Sequence, residues 1–275
     1  MLTSNSIRST NPFIDRRNKR LVLDGYAEKA IPALSQKLIQ TAFTNDLEKI
    51  WVWALPADVP IYLQQGFQIE GSLVQNNEEN FSVSLAYYVS QSRSYSNNFA
   101  EEDKLLYSVR KDPIQPLTPL PAGMNLLLLD ESFVSPISAL LTQTFASYPT
   151  PVEDTDYIHT LFQKGDLFAG AIDDGKLVAV AAAYPDLRLR RCEMTDCATL
   201  ENYRGLSLTL RLLEILENAI KNKIQSPLLF YTLARAQSYG MNRVFHKLGY
   251  RCQGRLINNC HIGGAYEDMN LWARI

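Results

Sequence analysis

The run Glu193-Met-Thr-Asp-Cys-Ala-Thr-Leu-Glu-Asn-Tyr-Arg-Gly-Leu-Ser207 sets the carboxylates of Glu193 and Asp196 and the thiol of Cys197 ahead of a Tyr203-Arg204-Gly205 turn. Its first part, with Met194, Cys197, Ala198 and Thr199 among polar neighbours, is short, β-branched or apolar and free of Gly and Pro, which suits a strand. From Leu208 the period changes: Leu206, Leu210, Leu213 and Ile220, with Leu208, Leu212, Ile215 and Ala219 beside them, mark a helix with a wide buried face. A strand therefore feeds a glycine turn that feeds a helix. The unpaired amides of the first helical turn and the positive end of its dipole then point past the strand's end, where an anion is the natural occupant. Gly205 lets the backbone approach that anion, Arg204 adds a charge, and Ser207 adds a hydroxyl donor.

The remaining chain bounds what such a site can serve. Its 275 residues, 46% of them hydrophobic, allow one large or two modest domains. A net charge of −2 argues against a nucleic-acid or membrane-surface partner. Residues 1–11 are polar, without the apolar core of a leader, and no run approaches a membrane span, so a cytoplasmic protein is expected. The cysteines Cys192, Cys197, Cys252 and Cys260 form neither a dense disulfide framework nor close ligand pairs. His261 beside Cys260 lacks the second pair a zinc site needs, so no metal is expected.

Taken in order, Arg20–Asp24 reads as a strand turned by Gly25 into a helix from about Ala27 to Phe43. Leu47–Leu55 is a strand, Pro56–Gln65 a short helix stopped by Gly66, and Phe67–Val74 and Phe81–Val89 are antiparallel strands about a turn at Asn76–Asn80. Prolines at 113, 116, 119 and 121 mark a connector. The division expected is therefore 1–92, a connector at 93–122, and 123–275. The last part reads as a strand at 125–129, helices at 136–145 and 155–163, and strands at 167–172 and 177–184. The opening stretch follows, then a strand at 228–233, a helix at 239–248, and strands at 250–256 and 265–272.

Two segments match: Tyr62-Leu-Gln-Gln-Gly-Phe67 with Gly71 and Leu73, and Phe245-His-Lys-Leu-Gly-Tyr250 with Gly254 and Leu256. The first domain thus looks like a copy of the second's C-terminal half. The order from residue 123 onward, with the Tyr203-Arg204-Gly205 turn, Asn242 in the next short helix and Leu248-Gly249-Tyr250, resembles the GNAT superfamily of N-acetyltransferases. The runs Glu193-Met-Thr-Asp-Cys-Ala-Thr199, Ala234-Arg-Ala236, Gly240-Met-Asn242 and Asn258-Asn-Cys-His-Ile-Gly263 are similar to those of the β-lysine N-acetyltransferases. The resemblance implies an α/β (α+β) acyl-CoA N-acyltransferase fold, a mixed, mostly antiparallel sheet flanked by helices and preceded by a degenerate, non-catalytic GNAT-like half-domain.

It also implies acetyl-CoA as co-substrate, its pyrophosphate over Tyr203, Arg204, Gly205, Leu206, Ser207 and Leu208, and its pantetheine along Cys197, Ala198 and Thr199, with Asn242 beside the pantetheine or the departing thiol. The usual motif has Gln or Arg, Gly, then Gly or Ala; here those places hold Asn202, Gly205 and Ser207. Acetyl transfer to an amine needs a base, since an alkylammonium has a pKa of about 10.4. Glu193 and Asp196 are the candidates, and strand period two lets only one face the substrate. Each could instead pair with Arg188, Arg190 or Arg191 across the hairpin.

A strand amide near Cys197–Thr199 would hold the oxyanion. Where many relatives place a tyrosine acid, this chain has Phe245, so Tyr239, Tyr203 or water would supply the proton, or the thiolate leaves unassisted. The implied acceptor, β-lysine, carries two ammonium groups and a carboxylate, for which Arg235, Glu267 and Asp268 are candidates. Another small amine, or a non-catalytic coenzyme-A-binding module, are the alternative readings, and a homodimer through exposed strands is a candidate assembly.

Overall fold

The computed structural model describes residues 11–24, 32–73, 82–113, 116–117, 119–224 and 228–274. The N-terminal part holds β1 (Phe13–Asp15), β2 (Arg20–Leu23), α1 (Pro32–Thr44), β3 (Lys49–Ala54), α2 (Val59–Gln64), β4 (Gln68–Leu73) and β5 (Ser82–Tyr88). Helix α3 (Phe99–Lys111) stands within the proline-bearing connector. The second part holds β6 (Asn125–Leu129), α4 (Val134–Thr144), α5 (Thr155–Gln163), β7 (Leu167–Asp173), β8 (Lys176–Asp186), β9 (Arg191–Thr199), α6 (Leu208–Lys223), β10 (Leu229–Arg235), α7 (Tyr239–Lys247), β11 (Arg251–Ile262) and β12 (Ala265–Arg274). The expected turns at Gly25 and Asn76–Asn80, and the start of the first helix, lie outside the described residues. Among the described residues no helix is long and apolar enough to cross a membrane.

One sheet runs through both parts in the order β1-β2-β3-β5-β4-β11-β12-β10-β9-β8-β7-β6. It is mostly antiparallel; β2 with β3 and β9 with β10 are its parallel pairs among the described strands. Its two parts meet at the pairing of β4 with β11 at Gly71 and Gly254, the two glycines of the internal repeat. The repeat is wider than its sequence signal. The series β2-α1-β3-α2-β4-β5 is matched in order and strand direction by β9-α6-β10-α7-β11-β12. Even the bulges correspond, one ahead of Gly71 and one ahead of Gly254. Equivalent registers put Trp51 at the place of Tyr231, and Val22 at the place of Glu193.

Four apolar clusters hold the layers. One packs α6 and α7 on the sheet, a second packs α1 and α2, and a third packs α4 and α5. The fourth joins Val22, Trp51 and Trp53 of the first part to Leu229, Tyr231, Leu256 and Leu271 of the second. The sheet therefore curls so that its two halves share an inner face, and burial of these aromatics binds them into one body.

Candidate active site

The parallel register of β9 and β10 ends at Glu193 opposite Tyr231. Beyond that point β10 continues to Arg235 against β12, and β9 continues to Thr199 against β8. The two strands splay, so among the described residues the β10-facing edge of β9 from Met194 onward has no strand beside it. Such an edge can pair with an extended amide chain as an added strand would.

The splay coincides with a bulge. Between the pairs Ala182 with Thr195 and Val180 with Ala198, β9 has one residue more than β8, and Asp196 takes a φ of 47°. A bulge shifts the side-chain alternation by one. Cys192 and Met194 pack with the α6 cluster, whereas Ala198, four residues beyond Met194, packs with the α4 and α5 cluster. The expectation that only one carboxylate faces the substrate is thereby corrected: Glu193 and Asp196 line the same cavity of about 570 Å³. Both carboxylates accept hydrogen bonds from tyrosines of this cavity.

Asp196 accepts hydrogen bonds from the hydroxyls of Tyr148, at 3.0 Å, and Tyr184. Burial raises its pKa, and those hydrogen bonds oppose the rise. Glu193 accepts from Tyr231 at 3.3 Å. Burial pushes the Glu193 pKa up to about 7, the charges of Asp24 and Asp196 add to the rise, and Arg191 opposes it. A carboxyl at that value can take a proton near neutral pH. Burial also raises the Cys197 thiol far above its ordinary range, so it is a packing and strand residue here rather than a nucleophile.

At the end of β9 the chain makes a short turn at Glu201–Tyr203 and enters α6. Gly205 has a φ of +88°, and a Cβ there would meet nothing within 4 Å, so the glycine answers a backbone need and leaves space open above it. Ser207 precedes the helix in the left-handed region, at φ 56°, without a side-chain cap. Arg211 N–H to Ser207 O opens the helical ladder, so the amides of 208–210 have no intrahelical acceptor. This turn fits a diphosphate: free amides, a helix end, the open space above Gly205, and Arg204 beside it.

Other expected residues fall elsewhere. Asn242 is fully buried; its Nδ2 donates to Arg235 O and Ser238 O, and its Oδ1 accepts from Asn270 and Trp272. Its hydrogen-bonding capacity is filled by protein, so the expected contact with pantetheine or thiol is replaced by a clamp of α7 onto β10 and β12. Tyr203 donates to Asp173 and Tyr239 to Asp112, each at 2.8 Å, and neither lines the cavity. Phe245 does line it. Arg235 lines the cavity but is paired with Glu267, and Asp268 accepts from the Asn258 amide.

Sequence reasoning missed the cavity's tyrosines and its N-terminal wall. Tyr148, Tyr157, Tyr184 and Tyr231 line it together with Asp15, Arg20, Asp24 and Trp51. The signal for Tyr184 and Tyr231 was strand register, since both stand opposite Glu193 on the flanking strands. Strand β1, only three residues long, carried no alternation long enough to find, although β2 beside it was read as a strand.

Residues 135–250 match the acetyltransferase (GNAT) family. The "N-acetyltransferase YodP" of Bacillus subtilis is 32% identical over 263 residues, 94% of this chain and 94% of that protein. The chain belongs to the GNAT family of acetyltransferases. This GNAT protein is also 32% identical over 215 residues to the "Beta-lysine N(6)-acetyltransferase" of Methanococcus maripaludis, 78% of each chain, and 38% identical over 156 residues to that of Methanosarcina mazei, 57% of each.

Proposed function

We propose that this acetyltransferase moves an acetyl group from acetyl-CoA to the terminal amine of β-lysine, giving N6-acetyl-β-lysine, a compatible solute. The observation that carries the reading is the meeting of the β9/β10 splay with a cavity holding two carboxylates. In this reading the pyrophosphate sits over Arg204–Leu208, the pantetheine runs along Cys197, Ala198 and Thr199, and the thioester carbonyl turns toward the bulge. Similarity to two β-lysine acetyltransferases supports the choice of acceptor. The N-terminal part, residues 1–92, serves as a non-catalytic copy that walls the acceptor site, which the valine at the place of Glu193 supports.

The terminal ammonium enters between Glu193 and Asp196. Asp196, fixed by Tyr148 and Tyr184, orients the nitrogen, and Glu193 takes its proton. The neutral amine attacks the thioester carbon, a strand amide near Cys197–Thr199 holds the oxyanion, and the C–N bond forms as the C–S bond breaks. With Phe245 beside it, the sulfur leaves as thiolate, an easy departure near neutral pH for a thiol of ordinary pKa about 8.5. The thiolate then takes up the second proton that the nitrogen releases as the amide forms.

Incubating the protein with acetyl-CoA and a panel of amines, then following free thiol, tests the assignment. Thiol release with β-lysine far above that with other diamines and aminoglycosides is expected. Release with other amines and not β-lysine would move the substrate elsewhere, and coenzyme binding without turnover would make the chain a binding module.

A further inference from the structure

Arg20 has no part in the transfer described above, yet it lines the same cavity as Glu193 and Asp196. It stands on β2 at the register that Arg191 occupies on β9, two residues before Val22 as Arg191 is two before Glu193. The two arginines share a setting: Arg20 lies over the Trp51 ring at 5.0 Å, and Arg191 over the equivalent Tyr231 ring at 5.4 Å. Their surroundings then diverge. Arg191 is closed in by Trp53 and paired with Asp24. Arg20 is left with a donor to spare.

Its Nε donates to Asp15 Oδ2 at 2.8 Å, and its Nη1 donates to Asn259 O at 2.9 Å and lies 3.7 Å from Cys260 Sγ. Nη2 has no hydrogen-bond partner among the described residues, although the side chain is only 9% exposed. A guanidinium held by stacking, an ion pair and a carbonyl, with one N–H edge left unpaired in a side chain that lines the cavity, is a preorganised anion donor. The hairpin that carries it is itself anchored. Asn18 Nδ2 donates to Pro149 O at 3.2 Å, Asn18 Oδ1 accepts from the His261 amide at 2.7 Å, and Arg93 donates to Asn18 O at 2.9 Å.

The cavity is thus bipolar, with carboxylates at the splay and a spare guanidinium edge on the N-terminal wall. Other cations near it are less suited. Arg16 and Arg17 are exposed at the hairpin tip, with Arg17 paired to Glu153, and Arg235 is about a third exposed and paired to Glu267. We infer that Arg20 of the N-terminal copy binds the carboxylate of an amino-acid acceptor through Nη2, so that the non-catalytic copy sets the enzyme's preference for an amino acid over a plain diamine. Asp15, ion-paired to Arg20, stands where the acceptor's second ammonium would lie. The inference rests on the reading of this cavity as the acceptor site.

Steady-state kinetics with β-lysine and with 1,4-diaminopentane, the same chain without its carboxylate, test it in the full-length protein. For Arg20→Gln, kcat/KM for β-lysine is expected to fall about 10²-fold, mainly through KM, as for loss of a buried charged hydrogen bond. Turnover of the diamine and the KM for acetyl-CoA stay near wild type. Arg20→Lys keeps the pairing with Asp15 and serves as the second variant, with discrimination between the two amines reduced but not abolished. Unchanged discrimination in both variants overturns the inference. So does an equal fall on both amines, which would assign Arg20 to the fold alone. Failure of the wild type on β-lysine is a different result: it removes the acceptor assignment, and Arg20 is then tested with whichever carboxylate-bearing amine is turned over and its decarboxylated counterpart.

Discussion

Glu193 is the proposed base, and its environment gives two linked expectations. Burial raises its pKa to about 7, so the ionised base is present only above that value, and kcat/KM should climb with pH to a plateau above about 7. Glu193→Gln should remove this limb and lower kcat by about 10²- to 10⁴-fold. Stability carries the opposite sign. The folded chain holds this proton more tightly than the unfolded chain, whose carboxyl has the ordinary value of 4.5. Its contribution to stability is therefore fully present below about pH 4.5 and is lost as pH rises through 7. Thermal melts of Glu193→Gln should accordingly show no loss at pH 8 and a smaller drop between pH 5 and pH 8 than wild type. A variant destabilised at pH 8 would mean that the carboxylate is a structural partner rather than a buried base.

Asn242 is the residue-scale counterexample. Its position in the short helix made a coenzyme contact plausible from sequence, but sequence cannot tell an asparagine facing a ligand from one facing the sheet. The structure turns it inward onto Trp272 and Asn270. Asn242→Ala leaves several buried donors and carbonyls unmet, at a cost of about 3 kcal/mol. Denaturant melts should show that loss, while the KM for acetyl-CoA of the folded fraction stays near wild type. A raised KM with unaltered stability would return Asn242 to the coenzyme site.

Among the elements, the glycine turn and long helix were the most legible, because a change of hydrophobic period and a Gly both announce it; α6 begins at Leu208 as the spacing predicts. Backbone handedness was not legible. Ser207 takes φ 56°, a region costing an L-residue about 1 kcal/mol. Ser207→Gly should therefore raise the melting temperature by a few degrees, in proportion to about 1 kcal/mol. A fall would mean that the hydroxyl contributes more than the strain removes. The bulge at Asp196 was hidden for the same reason: period two holds only while every residue is paired, and nothing in Glu193–Thr199 marks the extra residue. Likewise β11 runs on to Ile262 past Asn258 and Asn259, polar residues that read as a strand's end but are bonded to the N-terminal part.

At the scale of the whole molecule, the internal repeat was visible as two short matching segments, but not the way the copies meet. They join through their equivalent strands, back to back at Gly71 and Gly254, as two subunits related by a twofold axis would. Arg93, Lys49 and Arg20 then reach across to the carbonyls of Asn258, Ile257 and Asn259. Glu70 accepts from both Lys49 and the Ile257 amide. The join is close because neither glycine has a side chain: a Cβ on Gly254 would lie 2.2 Å from Glu70 O and 2.4 Å from the Gly71 Cα, both backbone atoms that cannot swing aside. Gly254→Ala must therefore push β4 from β11, at a cost of about 3 kcal/mol or more for forced overpacking. Because the proposed acceptor cavity is lined by both copies, the displacement should also raise the KM for the amine far more than the KM for acetyl-CoA, whose proposed groove lies wholly within the second copy. Equal rises in both constants, or a variant as stable as wild type, would show that the seam and the acceptor site are independent.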